Sequence, residues 1–132
     1  FTAGTPWLPV KPTQSALNVA TQEGDANSTL AYYRTILAWR KTRPELALGS
    51  IRFFNTAEPV LAFRREHAGQ AMLCAFNLSA ETRELSVSGV RGAVLEPVSR
   101  GATLSGRSLR LEANGFAFIP LAGESAARVS YR

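Results

Sequence analysis

The sequence predicts a mainly β protein: an antiparallel β-sandwich of Greek-key type, preceded by an extended loop and one long α-helix. Three observations predict it. Residues 1–24 hold Pro6, Pro9 and Pro12 with Gly4 and Gly24 and sustain no period, as extended loops do. Apolar residues then recur at helical spacing from Ser28 to Arg43. From about Gly49 the period changes to alternation in seven short runs broken by turn residues, the pattern of a sandwich.

The helix has local start and stop signals. Asn27 or Ser28 can cap it, because a short side-chain oxygen accepts from the free amides of the first turn. Pro44 ends it, since the residue before a proline is driven out of helical geometry. The predicted span is residues 28–43. At about 100° per residue, Leu30, Tyr32, Tyr33, Ile36, Leu37 and Trp39 fill half of the circumference. That arc is wider than one amphipathic stripe and suits a helix covered on two sides. Arg40 falls inside the arc, and a buried guanidinium must be paired. It either contacts a substrate or locks the helix through Asp25, Glu23 or a carboxylate outside these residues; buried charges are more often paired structurally.

The strand candidates are Ile51–Asn55, Val60–Glu66, Ala71–Asn77, Arg83–Ser88, Ala93–Glu96, Ser108–Glu112 and Gly115–Leu121. His67-Ala68-Gly69-Gln70 links two of them as a hairpin, and Asn114-Gly115 signals another, because these residues tolerate positive φ. Leu61 and Phe63, Met72, Cys74 and Phe76, Leu85 and Val87, Leu109 and Leu111, and Phe116 and Phe118 alternate so as to face one shared core. Ala71, Leu73 and Ala75 are apolar on the opposite face, so that strand is expected to be covered on both sides. The small, polar and basic tail, residues 123–132, is expected to be mobile.

Composition narrows the function classes. A chain of 132 residues can hold one modest core, whereas a whole α/β barrel takes about 250 residues. The net charge of +5 is dispersed, without the clustered basic footprint of a nucleic-acid binder, and no apolar run is of membrane length. No nucleic acid, membrane or cofactor is expected. His67 and Cys74 are the only residues of their types, which leaves no metal-ligand spacing. Cys74 reads as a buried, inert thiol; the cytoplasm suits it, and the periplasm stays open. Asn27-Ser28-Thr29 and Asn77-Leu78-Ser79 match the glycosylation acceptor triplet, which arises often by chance. The serines have no nucleophile elbow, and the glycines have no phosphate-loop spacing.

The run Phe1-Thr2-Ala3-Gly4-Thr5-Pro6-Trp7-Leu8-Pro9-Val10, then Asn18-Val19-x-x-Gln22, then Tyr32-Tyr33-Arg34-x-Ile36-Leu37-x-Trp39-Arg40-Lys41-x-Arg43-Pro44-x-Leu46 resembles one region of α-glucosidases and oligo-1,6-glucosidases of glycoside hydrolase family 13. There the last barrel loop and helix lead into a β-sandwich. A run like Leu61-Ala62-Phe63-Arg64-Arg65-Glu66 before one ending Phe76-Asn77-Leu78-Ser79 resembles that sandwich too. Trp39 departs from the pattern, standing where the family more often has a smaller aliphatic residue.

The resemblance implies that residues 1–47 end a catalytic barrel (loop 1–27, helix 28–43), that residues 48–122 form the C-terminal sandwich domain, and that the chain begins inside a larger folding unit. It implies an N-terminal catalytic barrel as partner and an α-glucoside as the parent's substrate. A retaining glycosidase needs two carboxylates about 5 Å apart; the family's two Asp and one Glu come from earlier strands, and Asp25 is the only Asp here. No catalytic residue is expected in this chain. Trp7 corresponds to the loop after the eighth strand, at the active-site face of such barrels. It either stacks on sugar or, as is commoner for tryptophan, packs the loop. Asn18 and Gln22 are expected to hold the loop by amide hydrogen bonds to backbone. Two other readings are an independent carbohydrate-binding sandwich and a self-associating module, the latter a homo-oligomer formed through an uncovered apolar helix face.

Overall fold

The computed structural model describes residues 4, 5, 7–9, 11–90, 94–121 and 128–131. The chain divides into two compact units, Phe1–Ala38 and Trp39–Arg132. In the first, the expected loop contains two short helices, α1 (Pro12–Ser15) and α2 (Val19–Glu23). Pro12 suits a helix start because its missing N–H would be unpaired there anyway, and the Asn18 side chain caps α2. The long helix α3 is Thr29–Lys41, capped by Ser28, whose Oγ accepts from the Ala31 amide at 3.1 Å. It ends short of Arg43 because the Thr42 amide turns back to the Trp39 carbonyl at 2.9 Å. No residue of α3 is fully buried.

In the second unit Pro44 starts a further short helix, α4 (Pro44–Ala47), which packs on two strands, β2 and β3, of a curled antiparallel sheet. The strands are β1 (Ser50–Phe53), β2 (Val60–His67), β3 (Gln70–Asn77), β4 (Arg83–Ser88), β5 (Arg100–Ser105), β6 (Ser108–Leu121) and β7 (Arg128–Tyr131). Their order is β1-β2-β3-β6-β4-β7, with β5 also paired to β6. His67 pairs with Gln70, so Ala68 and Gly69, both at positive φ, form the predicted hairpin turn.

The 14-residue β6 belongs to both layers. Its C-terminal half pairs with β3, Phe116 opposite Phe76 through Leu121 opposite Ala71, and its N-terminal half pairs with β4 and β5. The sheet therefore folds over on itself. Ala62, Leu73, Ala75, Ala117 and Ile119 of one half meet Leu85, Val87, Leu109, Leu111 and Val129 of the other in one core.

Several expectations change. Asn114-Gly115 is a bulge inside β6, not a hairpin: Asn114 takes φ 54°, and its amide donates to the Ser79 carbonyl at 2.8 Å. Residues that tolerate positive φ serve a bulge as readily as a turn. The hairpin lies instead at Gly106-Arg107, beyond the Ser105–Ser108 pair. Residues 94–96 form no strand, and Ala93 lies outside the described residues. Within the expected mobile tail, Arg128–Tyr131 pairs with β4; residues 122–127 and 132 lie outside the description.

The largest change is the side on which the phenylalanines lie. Leu61, Phe63, Met72, Cys74, Phe76, Phe116 and Phe118 are absent from the sandwich core and occupy the opposite face of β2, β3 and β6. Where both faces of a strand are apolar, alternation fixes the pairing of faces but not which one is inward. Small alanines line the inner face, which lets the two halves of the sheet approach.

The curl depends on close backbone approach at the bulge. A Cβ on Gly115 would stand 2.3 Å from the Gly101 carbonyl oxygen. Gly115→Ala is expected to lower unfolding stability by about 1–3 kcal/mol through overpacking. Gly24→Ala, whose Cβ would meet nothing closer than 3.9 Å, should change it by no more than about 0.5 kcal/mol. Urea unfolding followed by circular dichroism checks both.

Candidate functional site

The Glu96 carboxylate is 7% exposed, a costly placement for a charge unless it is paired. Its Oε2 accepts from the Trp39 indole Nε1 at 2.9 Å, and its Oε1 accepts from Arg43 Nη2 at 2.5 Å. The Arg43 guanidinium also lies 5.9 Å from the Trp39 ring centroid, within cation–π range. The loop carrying Glu96 is tied to β6: the Glu96 amide donates to the Phe118 carbonyl at 2.8 Å, and Ser99 Oγ accepts from the Phe118 amide at 3.0 Å. Trp39 packs on Phe118 with ring centroids 4.9 Å apart. The end of α3, the loop and the central strand thus meet at one buried acid.

From that joint an aromatic row crosses the outer face of the sheet. Phe118 meets Phe76 at 5.8 Å and Phe116 at 6.0 Å. Phe76 stacks on Phe63 at 5.8 Å, and Phe63 meets Phe53 edge-on at 5.7 Å. Exposure grows along the row, from 7% at Phe118 to 61% at Phe53 on the edge strand.

The residues singled out in the sequence are not gathered into one pocket. Trp7 is 93% exposed. Asn18 is spent on structure: Oδ1 accepts from the Thr21 amide at 2.9 Å, and Nδ2 donates to the Ser15 carbonyl and to Thr21 Oγ1. Gln22 donates from Nε2 to the Leu17 carbonyl at 2.5 Å and accepts at Oε1 from the Leu30 amide at 3.0 Å, joining α2 to the start of α3. Arg40 is exposed, not buried. Its Nη2 donates to the Leu46 carbonyl at 3.1 Å, while Glu23 pairs with Arg34 instead. The helical-wheel arithmetic placed Arg40 among apolar neighbours, but no residue of α3 is fully buried. A depression of about 550 Å³ beside α2 is lined by Leu17, Asn18, Val19, Ala20 and Glu23, with a single acid.

Asn77 is 2% exposed. Its Nδ2 donates to the Glu81 and Glu112 carbonyls at 2.6 and 2.7 Å, so the second acceptor triplet is structural. The Cys74 thiol is buried and pushed up to about 12, first by desolvation, with the Arg65 charge opposing and the Glu45 charge adding. Glu23, Glu66, Glu81, Glu96 and Glu112 each pair with an arginine. Among the described residues no group of three or more His, Cys, Asp or Glu could hold a metal, and no helix is long and apolar enough to cross a membrane.

Trp39, Arg43 and Glu96 act together although 57 residues separate the tryptophan from the acid. The one sequence signal was a lone carboxylate within the apolar stretch Val94-Leu95-Glu96-Pro97-Val98.

A curled antiparallel sandwich latched to the end of a helix defines a β-sandwich domain. The family described as maltogenic amylase, C-terminal domain, matches residues 51–119, and the chain belongs to it. It is 45% identical over 87 residues to a probable alpha-glucosidase of Rhizobium meliloti (strain 1021), covering 64% of this chain and 16% of that protein. It is 39% identical over 82 residues to probable oligo-1,6-glucosidase 2 of Bacillus subtilis (strain 168), covering 61% and 15%. Among solved structures, the alpha-glucosyl transfer enzyme XgtA matches with TM-score 0.82 and 44% identity over 92% of this chain and 23% of that one. Isomaltulose synthase from Erwinia rhapontici NX5 matches with TM-score 0.74 and 27% identity, at the same coverage. The chain spans less than a quarter of the length of each of these relatives.

Two outcomes follow from the site. Glu96→Gln should cost about 1–3 kcal/mol, because it weakens an acceptor shared by two half-buried donors. Glu81→Gln, in a pair whose acid is 73% exposed, should cost no more than about 0.5 kcal/mol. Urea unfolding at neutral pH separates them. For Cys74 the folded value lies above the ordinary thiol value of 9.0, so burial of the neutral thiol contributes fully below that pH and is lost as pH rises toward about 12. Between pH 9 and 11 the protein should therefore lose more stability than its Cys74→Ala variant does, as read by urea midpoints.

Proposed function

We propose that this chain is the C-terminal part of a retaining α-glucosidase, whose complete form hydrolyses or transfers α-glucosyl groups. In this reading residues 1–47 close a catalytic barrel, residues 48–122 form its sandwich domain, and the carboxylates that cleave the sugar come from preceding strands. The present part is structural. Trp7 lines the approach to the active site, and the parent works in the cytoplasm, where a lone buried thiol stays reduced. The observation that carries the reading is the 44% identity to an alpha-glucosyl transfer enzyme over 92% of this chain, which spans loop, helix, latch and sandwich together.

A carbohydrate-binding module is the second reading, favoured by one observation: the row from Phe118 to Phe53 faces outward, and aromatic faces stack on sugars. Titration with maltose or isomaltose, followed by tryptophan fluorescence, should show no saturation if the leading reading holds. The purified 132-residue chain should leave an aryl α-glucoside intact, and mixing it with the N-terminal part of the same enzyme should produce cleavage. Cleavage by the chain alone would overturn the proposal.

A further inference from the structure

We propose that Gln22 is a positioning residue for the sugar-cleaving reaction: it fixes the loop that precedes α3 and thereby holds Trp7 at the approach to the active site. The inference rests on the α-glucosidase reading, which puts Trp7 there and leaves open what keeps it in place.

The loop has no core of its own. Of residues 11–27 all but Gln22 are exposed, and neither α1 nor α2 has a buried residue. A segment with so few buried apolar contacts opens at small cost unless polar bonds tie it down. Those bonds converge on Gln22. Its Nε2 donates back to the Leu17 carbonyl, and its Oε1 accepts from the Leu30 amide eight residues ahead, in the first turn of α3. Its own carbonyl accepts from Ser28 Oγ at 2.8 Å, the hydroxyl that also caps α3. Asn18 serves α2 and the turn before it, whereas the Gln22 side chain joins α2 to the long helix.

From α2 the ties run on toward Trp7. The Asn18 Nδ2 donates to the Ser15 carbonyl, and Ser15 Oγ donates to the Pro12 carbonyl at 2.6 Å. Pro9 and Pro12 each lock φ at about −65°, so few free rotations remain between α1 and the tryptophan. Trp7 itself is 93% exposed. Packing within the described residues does not set where its ring stands; the bonded frame behind it does.

The test uses the complete enzyme and an aryl α-glucoside. Gln22→Leu removes both side-chain hydrogen bonds at similar volume. A wall that meets substrate and transition state equally acts on KM and not on kcat. The variant should therefore raise KM about threefold or more while kcat stays within about twofold. A purely structural loss would instead lower the active fraction, and so the apparent kcat, at constant KM. Trp7→Ala should raise KM by a similar factor, and adding Gln22→Leu to it should change KM by no more than about 1.5-fold, because the amide acts through the ring. Effects that multiply would overturn the proposal, as would an unchanged KM in Gln22→Leu. Trp7 is exposed, so Trp7→Ala keeps the test decisive even where Gln22→Leu does not fold: an unchanged KM in that variant overturns the proposal by itself. No cleavage by the unsubstituted enzyme takes down the α-glucosidase reading and this inference together, whereas cleavage with KM unchanged in the variants takes down the inference alone.

Discussion

A carboxylate held almost out of water needs donors, and Glu96 finds them in two residues at the end of the long helix. The indole N–H of Trp39 and the guanidinium of Arg43 fill its two oxygens. Each partner is constrained in turn, because the tryptophan ring lies on Phe118 and the loop behind Glu96 is bonded to the backbone of the same phenylalanine. A buried ion pair adds little net stability relative to apolar packing, yet breaking it is costly. Its value here is geometric: it fixes the end of α3, an otherwise irregular loop and the central strand at one point.

The sheet is organised around that central strand. β6 serves both halves of the sandwich, and the bulge at Asn114 and Gly115 lets it change partners from β4 and β5 to β3. Asn77 secures the bend by donating to the Glu112 carbonyl at 2.7 Å. Small residues inside and phenylalanines outside follow from the curl. Inner faces that approach closely favour alanine, and bulky rings are left to the outer face, where Phe53 remains 61% exposed.

Much of this was legible in local chemistry. Ser28 and Pro44 mark the helix because capping and proline geometry act over a few residues, and β2, β3 and β4 follow from alternation. Asn18 and Gln22 bond nearby backbone, as amides at loop turns do. Four things were not legible. Asn114-Gly115 carries the same conformational signal for a bulge as for a hairpin. β3 is apolar on both faces, so its period could not tell the core from the outer surface. β5, Arg-Gly-Ala-Thr-Leu-Ser from Arg100, has too few large apolar residues to stand out, and only pairing with β6 makes it a strand. The latch was invisible for a different reason, since nothing local links an acid to an indole across such a separation.

The family to which the chain belongs is described as a C-terminal domain, and the latch and the curled sheet both lie within or beside the residues it matches. Whether the buried acid truly couples the helix end to the sheet is tested most directly by a double-mutant cycle of Trp39→Phe and Glu96→Gln, read by urea unfolding. Phenylalanine keeps an aromatic ring on Phe118 but donates no hydrogen bond. The account predicts a coupling of about 1 kcal/mol or more between the two positions. Additivity to within about 0.3 kcal/mol would contradict it.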